Sequence, residues 1–264
     1  MGQLISAVMI VKDGALTIGK SLDSLSLFDE VIVFDNGSTD ETQAIAERYP
    51  NVQLFEGNFE GFGITKNRAV TFAKHDWILI IDSDECIEPE LAQTVHQHDL
   101  DPKSIYLLHF KAFYRGRQVK HCGWNNQKIR RLYNRSETRF TNSYVHENLI
   151  ADGLKIREFK AGSIQHFSYH SVSDLVLKVE RYSTLFAEDN SSEFHHGRAK
   201  VSASPSKAFF NGLYSFFRTY VLKRGFLDGH VGLLIAFSHM ATNFYKYMKL
   251  YERNCEKAAS KRGS

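Results

Sequence analysis

The chain has little cysteine: Cys86, Cys122 and Cys255 are three in 264 residues, an odd number without metal-ligand spacing. A disulfide framework and a zinc ribbon are thereby excluded, and a reducing compartment fits. Four prolines and 17 glycines are too few for a collagen-like or low-complexity chain, and no repeat recurs at a solenoid period. Nowhere do 18 apolar residues run uninterrupted, so no transmembrane span is expected. The stretch from Met1 to Lys12 lacks a basic n-region and a small-residue cleavage site, and its apolar run is strand-length. It reads as the first strand of a protein that stays in the cytoplasm.

Hydrophobic residues, 43% of the chain, suffice for one large α/β domain with an appendage. The net charge of +3 is unevenly spread: from Lys207 onward there are 10 Lys and Arg against 3 Asp and Glu, leaving 23 against 27 before it. A basic tail on a slightly acidic body argues against nucleic acid and for a C-terminal segment that meets an anionic surface.

Apolar strands alternate with helical patterns in the first half. Leu4 to Val11 precedes a loop at Lys12-Asp13-Gly14 and a helix through Ile18, Leu22 and Leu25. Glu30 to Phe34 runs into Asp35-Asn-Gly-Ser-Thr-Asp40 and a helix expected from Glu41 to Tyr49, with Ser38 or Thr39 as its N-cap. Val52 to Phe55 leads to a Gly-rich segment and a helix carrying Lys66 and Asn67, and Trp77 to Ile81 stops at Asp82-Ser83-Asp84-Glu85. This βαβα order predicts a mostly parallel, Rossmann-like sheet, with ligands beyond the carboxyl ends of its strands. Residues 105 to 165 alternate like antiparallel strands, and from Ser171 the pattern is helical. A catalytic domain over 1 to 165 and a helical, basic, amphipathic region over 166 to 264 are expected. Its stripes are Phe209, Leu213, Phe216, Phe217, Tyr220 and Val221 on one helix and Leu233, Phe237, Met240, Phe244 and Met248 on another. They either lie on a membrane or pack against the catalytic domain.

Asp82 and Asp84, one residue apart at the end of a buried strand, can share a divalent cation and a ribose hydroxyl, although a bare Asp-x-Asp is more often a solvated loop. Asp35 and Asn36 carry the groups to hydrogen-bond a nucleobase edge, while Asn-Gly and Ser-Thr-Asp are also ordinary turn chemistry.

The three motifs Asp35-Asn-Gly-Ser-Thr-Asp40, Gly61-Phe-Gly-Ile-Thr-Lys66-Asn67 and Ile81-Asp-Ser-Asp-Glu85 resemble, in order and spacing, those of family 2 glycosyltransferases. Within that family the chain is similar to the lipopolysaccharide inner-core β-1,4-glucosyltransferases of the WaaE and LgtF type. The likeness runs to Val145-His146-Glu147 and, more weakly, into Arg224-Gly-Phe-Leu-Asp-Gly229. The resemblance implies a GT-A fold, UDP-glucose as donor, inversion at the anomeric carbon and a heptose of the lipid A-linked core as acceptor. The basic, aromatic-striped C-terminal helices are expected to lie at the cytoplasmic face of the inner membrane and present the site to a lipid-linked acceptor. By position, the resemblance puts Asp35 and Asn36 at the base, Lys66 near the diphosphate, Asp82 at the ribose and Asp84 on Mg²⁺ or Mn²⁺, with Ser38 and Asn67 as further donor-binding residues.

Glu147 is the expected general base, removing the acceptor hydroxyl proton. His146 and His166 are the candidates for a further metal ligand, although a histidine packed between aromatic neighbours is more often structural; His166 is taken with Asp84 as the metal set. Lys128, Arg130, Arg131, Arg135 and Arg139 form a basic cluster that either grips a phosphorylated group or lines a solvated strand edge. Three rivals remain: a family 2 enzyme with another lipid-linked or capsular acceptor, a nucleotidyltransferase, and a nucleotide-sugar-binding protein without turnover. Ile10-Val-Lys-Asp-Gly14 fits a nucleotidyltransferase phosphate loop poorly.

Overall fold

The computed structural model describes residues 3–125, 127–142, 147–191 and 201–260. The chain packs into two compact units, Met1–Ala112 with Asn126–Ser168, and Phe113–Asn125 with Tyr169–Ser264.

The first unit is built on β1 (Ile5–Val11), β2 (Glu30–Asp35), β3 (Val52–Glu56) and β4 (Trp77–Ile80), parallel in the spatial order β3-β2-β1-β4. Between them run α1 (Ile18–Ser24), α2 (Thr42–Ala46) and α3 (Phe62–Val70). All of β2 and all but one residue of β1 are buried, as parallel strands covered on both faces require. Ile5, Ala7, Met9 and Val11 join α1 on one side, whereas Val8, Ile32, Phe34 and Ile80 join Ala69 and Val70 of α3 on the other.

Beyond β4 the main path of the sheet turns antiparallel, as the alternating 105 to 165 region predicted, while one short side strand, Lys155–Glu158, runs parallel to its neighbour. β5 (Glu85–Ile87) and α4 (Pro89–Gln97) lead to β6 (Ser104–Tyr114) and β7 (Arg117–Gln118). Next come β8 (Gln127–Asn134), β9 (Lys155–Glu158) and β10 (Ile164–Tyr169). β8 inserts between β4 and β6, and β10 pairs with β5, setting His166 opposite Glu85. This mixed sheet, parallel in the half that ends at the acidic motifs, is the expected GT-A arrangement.

Helix α2 is shorter than the Glu41-to-Tyr49 expectation. Arg48 and Tyr49 donate to carbonyls three residues back, tightening the chain, and Pro50 disfavours helical backbone at Tyr49. Neither Ser38 nor Thr39 caps it: Asp40 accepts from the Thr42 backbone N–H at 3.0 Å, and Ser38 is drawn to another loop.

In the second unit, α5 (Val172–Ser191), α6 (Pro205–Phe217) and α7 (His230–Ser260) pack on a core that includes Tyr114, Val119, Cys122, Leu175, Val231 and Ile235. A π-helical turn (Arg218–Leu222) and a 3-10 turn (Gly225–Asp228) join α6 to α7. Ser204 caps α6, accepting from the Lys207 N–H at 3.2 Å, with Pro205 at the first helical position. Asp228 accepts from the backbone N–H of Lys120 and His121 and from His121 Nδ1 at 2.8–3.2 Å. A Cβ on Gly232 would lie 1.8 Å from the Gly225 oxygen. Packing of this loop explains the Arg224-to-Gly229 motif. No described helix is long and apolar enough to cross a membrane.

Candidate active site

The carboxyl ends of β1, β2 and β4 share one edge, because Val11 pairs with Asp35 and Val8 with Ile80. The loops leaving β1 and β2 are laced together. Asp13, at φ 51°, accepts from the Thr39 N–H at 2.7 Å, and its own N–H donates to Ser38 Oγ at 2.9 Å. Asp40 accepts from the Ala15 N–H at 3.0 Å. The Lys12-Asp13-Gly14 loop and Ala15 after it are thus latched to the Asp35-to-Asp40 motif.

Asp35 is fully buried, and its Oδ1 accepts from the N–H groups of Gly37 and Ser38, each at 2.8 Å. Its Oδ2 is buried without a hydrogen-bond partner among the described residues. Such an acceptor is costly unless something donates to it. Asn36 Nδ2 donates to the Gly57 carbonyl at 3.1 Å.

At the centre lies a linked set of charges. Lys66, on α3 and only 5% exposed, donates to Glu147 at 2.6 Å and stands 3.9 Å from Asp82. Arg131, buried on β8, reaches Asp82 at 2.9 Å and Glu85 at 2.5 Å. Glu85 in turn accepts from the Asp82 N–H at 2.9 Å. Two carboxylates therefore share one guanidinium, and their titrations separate. The protein packed around Asp82 opposes its ionisation, but the charges of Arg131 and Lys66 outweigh this and hold its carboxyl well below the usual range. Burial pushes Glu85 up to about 7, with Arg131 opposing and Asp82 reinforcing.

Asp84 lies at the edge of this set, 31% exposed, with Oδ2 3.1 Å from His166 Nε2. The Phe167 N–H donates to the Asp84 carbonyl at 2.8 Å, so β10 fixes the backbone on both sides of the contact. Among the described residues no three His, Cys, Asp or Glu side chains converge as a group that could hold a metal ion. His146 lies outside the described residues.

Asn67 has both ends of its amide tied to Phe140: Nδ2 donates to the carbonyl at 2.9 Å, and Oδ1 accepts from the N–H at 3.0 Å. It fastens α3 to the segment leading toward Glu147. Gly63 makes the same approach possible, since a Cβ there would fall 1.9 Å from the Thr141 carbonyl oxygen.

The five-residue basic cluster does not act as one. Lys128 pairs with Glu158 at 2.8 Å, and Arg130 donates to the Leu149 carbonyl. Arg135 pairs with Asp76 at 3.1 Å and donates to carbonyls around Ala73, Arg139 is exposed, and Arg131 alone turns into the charged centre. Arg131 falls where the register between β6 and β8 shifts, Leu132 facing Tyr106 and Arg130 facing Leu107, an irregularity that no period-two pattern in the sequence announces. Glu85 gave no signal either.

Residues 6–151 match the family described as Glycosyl transferase family 2. The chain is 29% identical to an uncharacterized glycosyltransferase of Rickettsia felis, with 94% of this chain and 89% of that one covered. It is 25% identical to the lipopolysaccharide core biosynthesis glycosyltransferase LpsC of Rhizobium meliloti, over 96% of this chain and 94% of that one. Among solved structures, S. aureus TarS 1–349 in complex with UDP aligns with 95% of this chain and 91% of its own at 18% identity, with a TM-score of 0.46. With more than half of its length matched, ending where the ordered acidic motifs and their charged centre have been passed, the chain belongs to glycosyl transferase family 2.

Proposed function

We propose that this chain is an inverting, metal-dependent glycosyltransferase that moves glucose from UDP-glucose to an inner-core heptose of lipopolysaccharide, at the cytoplasmic face of the inner membrane. The observation that carries this reading is the charged cluster that joins Lys66 to Asp82 and Glu147, with the Asp84–His166 pair two residues along the chain from Asp82. The likeness to LpsC supports a lipopolysaccharide-core acceptor.

Glu147 takes the proton of the acceptor hydroxyl as that oxygen bonds to the anomeric carbon, while the bond from that carbon to the diphosphate oxygen breaks and its electron pair leaves with UDP. Asp82, kept ionised by Arg131 and Lys66, accepts a ribose hydroxyl. Lys66 meets the diphosphate charge, and Asp35 Oδ2, which has no hydrogen-bond partner among the described residues, offers the base edge an acceptor. A partly exposed carboxylate next to an imidazole suits Mg²⁺ or Mn²⁺ completed by diphosphate oxygens and water, so Asp84 and His166 would hold it. The ion would supply charge neutralisation to the leaving diphosphate.

The test is UDP release from a panel of UDP-sugars with divalent metal and deep-truncated lipopolysaccharide, beside Asp84→Ala. Acceptor-dependent release with UDP-glucose, lost in the variant and on chelation, supports the reading. Release with another sugar overturns the donor, and UDP binding without release under any donor overturns catalysis on this acceptor.

A further inference from the structure

Helix α6 is packed inside out. Its buried residues are the small Ala208 and Gly212, followed by Thr219 in the π-helical turn, and beside them Ser215 and the aromatic Phe216, 5.1 Å from the Phe237 ring, meet α7. Gly212 sits so close that a Cβ would be 3.3 Å from the Met240 carbonyl oxygen, Ser215 Oγ accepts from Asn243 at 2.9 Å, and Thr219 Oγ1 bonds His239 at 3.0 Å. The opposite side is aromatic and bare, with Phe210 67%, Tyr214 59% and Phe217 49% exposed. The π-helical and 3-10 turns continue it with Leu222 at 59% and Leu227 at 54%. A helix bathed in water turns its large apolar residues inward and its small polar ones out. Close contact through small residues, with aromatic side chains outward, is the pattern of a helix whose outer medium is lipid.

Charge identifies the medium further. From Pro205 to Tyr251 the chain has six Lys and Arg and one carboxylate, Asp228, which is only 6% exposed and occupied by backbone N–H groups. Arg218 and Arg224 are exposed on the turns between the bare apolar side chains. A second copy of the same face would set these cations against each other. Anionic headgroups over an acyl boundary complement both properties at once.

We infer that the outer face of α6 and the two turns after it form an interfacial membrane-binding surface, with Phe210, Phe217, Leu222 and Leu227 entering the acyl boundary and Arg218 and Arg224 meeting anionic phospholipid headgroups. The inference deepens the lipid-linked acceptor reading, on which its purpose rests.

The test is flotation of the full chain, without donor, on vesicles of phosphatidylcholine alone and of phosphatidylcholine with phosphatidylglycerol at about 7:3, a ratio chosen to supply a strong surface charge. Binding is expected on the anionic vesicles and to weaken with salt. Phe210→Ser with Phe217→Ser lowers partitioning by at least ~10-fold, and Arg218→Gln or Arg224→Gln each lowers it by about fivefold, at unchanged helicity and melting temperature. Failure to float, or flotation indifferent to these variants, overturns the proposal. So does light scattering that finds a dimer dispersed by the Phe variants. UDP release on a soluble core oligosaccharide is expected to survive the Phe variants, so loss of vesicle binding and loss of the transferase reading are read separately.

Discussion

The ammonium of Lys66 lies 2.6 Å from the carboxylate of Glu147 and 3.9 Å from that of Asp82, so the proposed base and the proposed ribose-binding group share one nearly buried cation. On the proposed reading, an arriving diphosphate competes for that cation and releases Glu147 for the acceptor. Lys66→Met is expected to lower UDP release by about 10²-fold or more, as loss of a preorganised charge does. Lys66→Arg should not restore it, because the planar fork cannot replace a point charge in so small a space. Initial-rate kinetics check both, with calorimetric UDP binding to separate affinity from turnover.

Glu147→Gln keeps the shape of the side chain and removes the proposed base. Transfer should fall by about 10²–10⁴-fold while UDP-glucose affinity stays within a few-fold. A parallel loss of binding would assign Glu147 to the donor instead.

Arg131→Met strands Asp82 and Glu85, two carboxylates that share its guanidinium. The expected cost is about 3–5 kcal/mol, read as a drop in melting temperature. Adding Glu85→Gln should recover part of it, which a simple loss of packing volume would not.

His239 is enclosed by Trp124, whose indole N–H donates to its Nε2 at 3.3 Å, and by Thr219. Burial, then the charges of Lys223 and Arg218, push it down to about 4 from an ordinary 6.5. Between those values the unfolded chain binds the extra proton and the folded chain does not, so stability is full above pH 6.5 and declines as pH falls toward 4. Denaturant titrations across that window should lose this slope in His239→Gln.

Two glycines separate two kinds of constraint. Gly37, at φ +83° with nothing within 4 Å of its missing Cβ, should cost about 1–2 kcal/mol as alanine, through backbone strain alone. Gly63→Ala has to displace the Thr141 backbone and should cost about 3 kcal/mol together with most of the activity. Melting curves and rates on both variants decide it.

The parallel half of the sheet was legible because doubly covered strands are unbroken apolar runs that stop at their ligand-binding ends, as Trp77 to Asp82 does. The Asp84–His166 contact was legible only as a suggestion of residue types, since it depends on β10 pairing with β5. The Arg131–Glu85 pair was hidden: it joins residues 46 apart through a strand register that no local pattern encodes. The α6 stripe was visible, but amphipathicity alone does not tell which face meets protein. Small residues at Gly212 and Ser215 decide that, and the stripe splits, with Phe216 and Tyr220 stacked on each other at 5.5 Å and Phe217 left bare.

The double hydrogen bond between Asn67 and Phe140 has a consequence for anyone who recombines such enzymes. A chimera that imports residues 127–168 to change the acceptor, while keeping its own first half, would graft one side of a two-part clasp onto a stranger's helix. The exchangeable module is that stretch plus α3, two segments far apart in the gene that have to travel together.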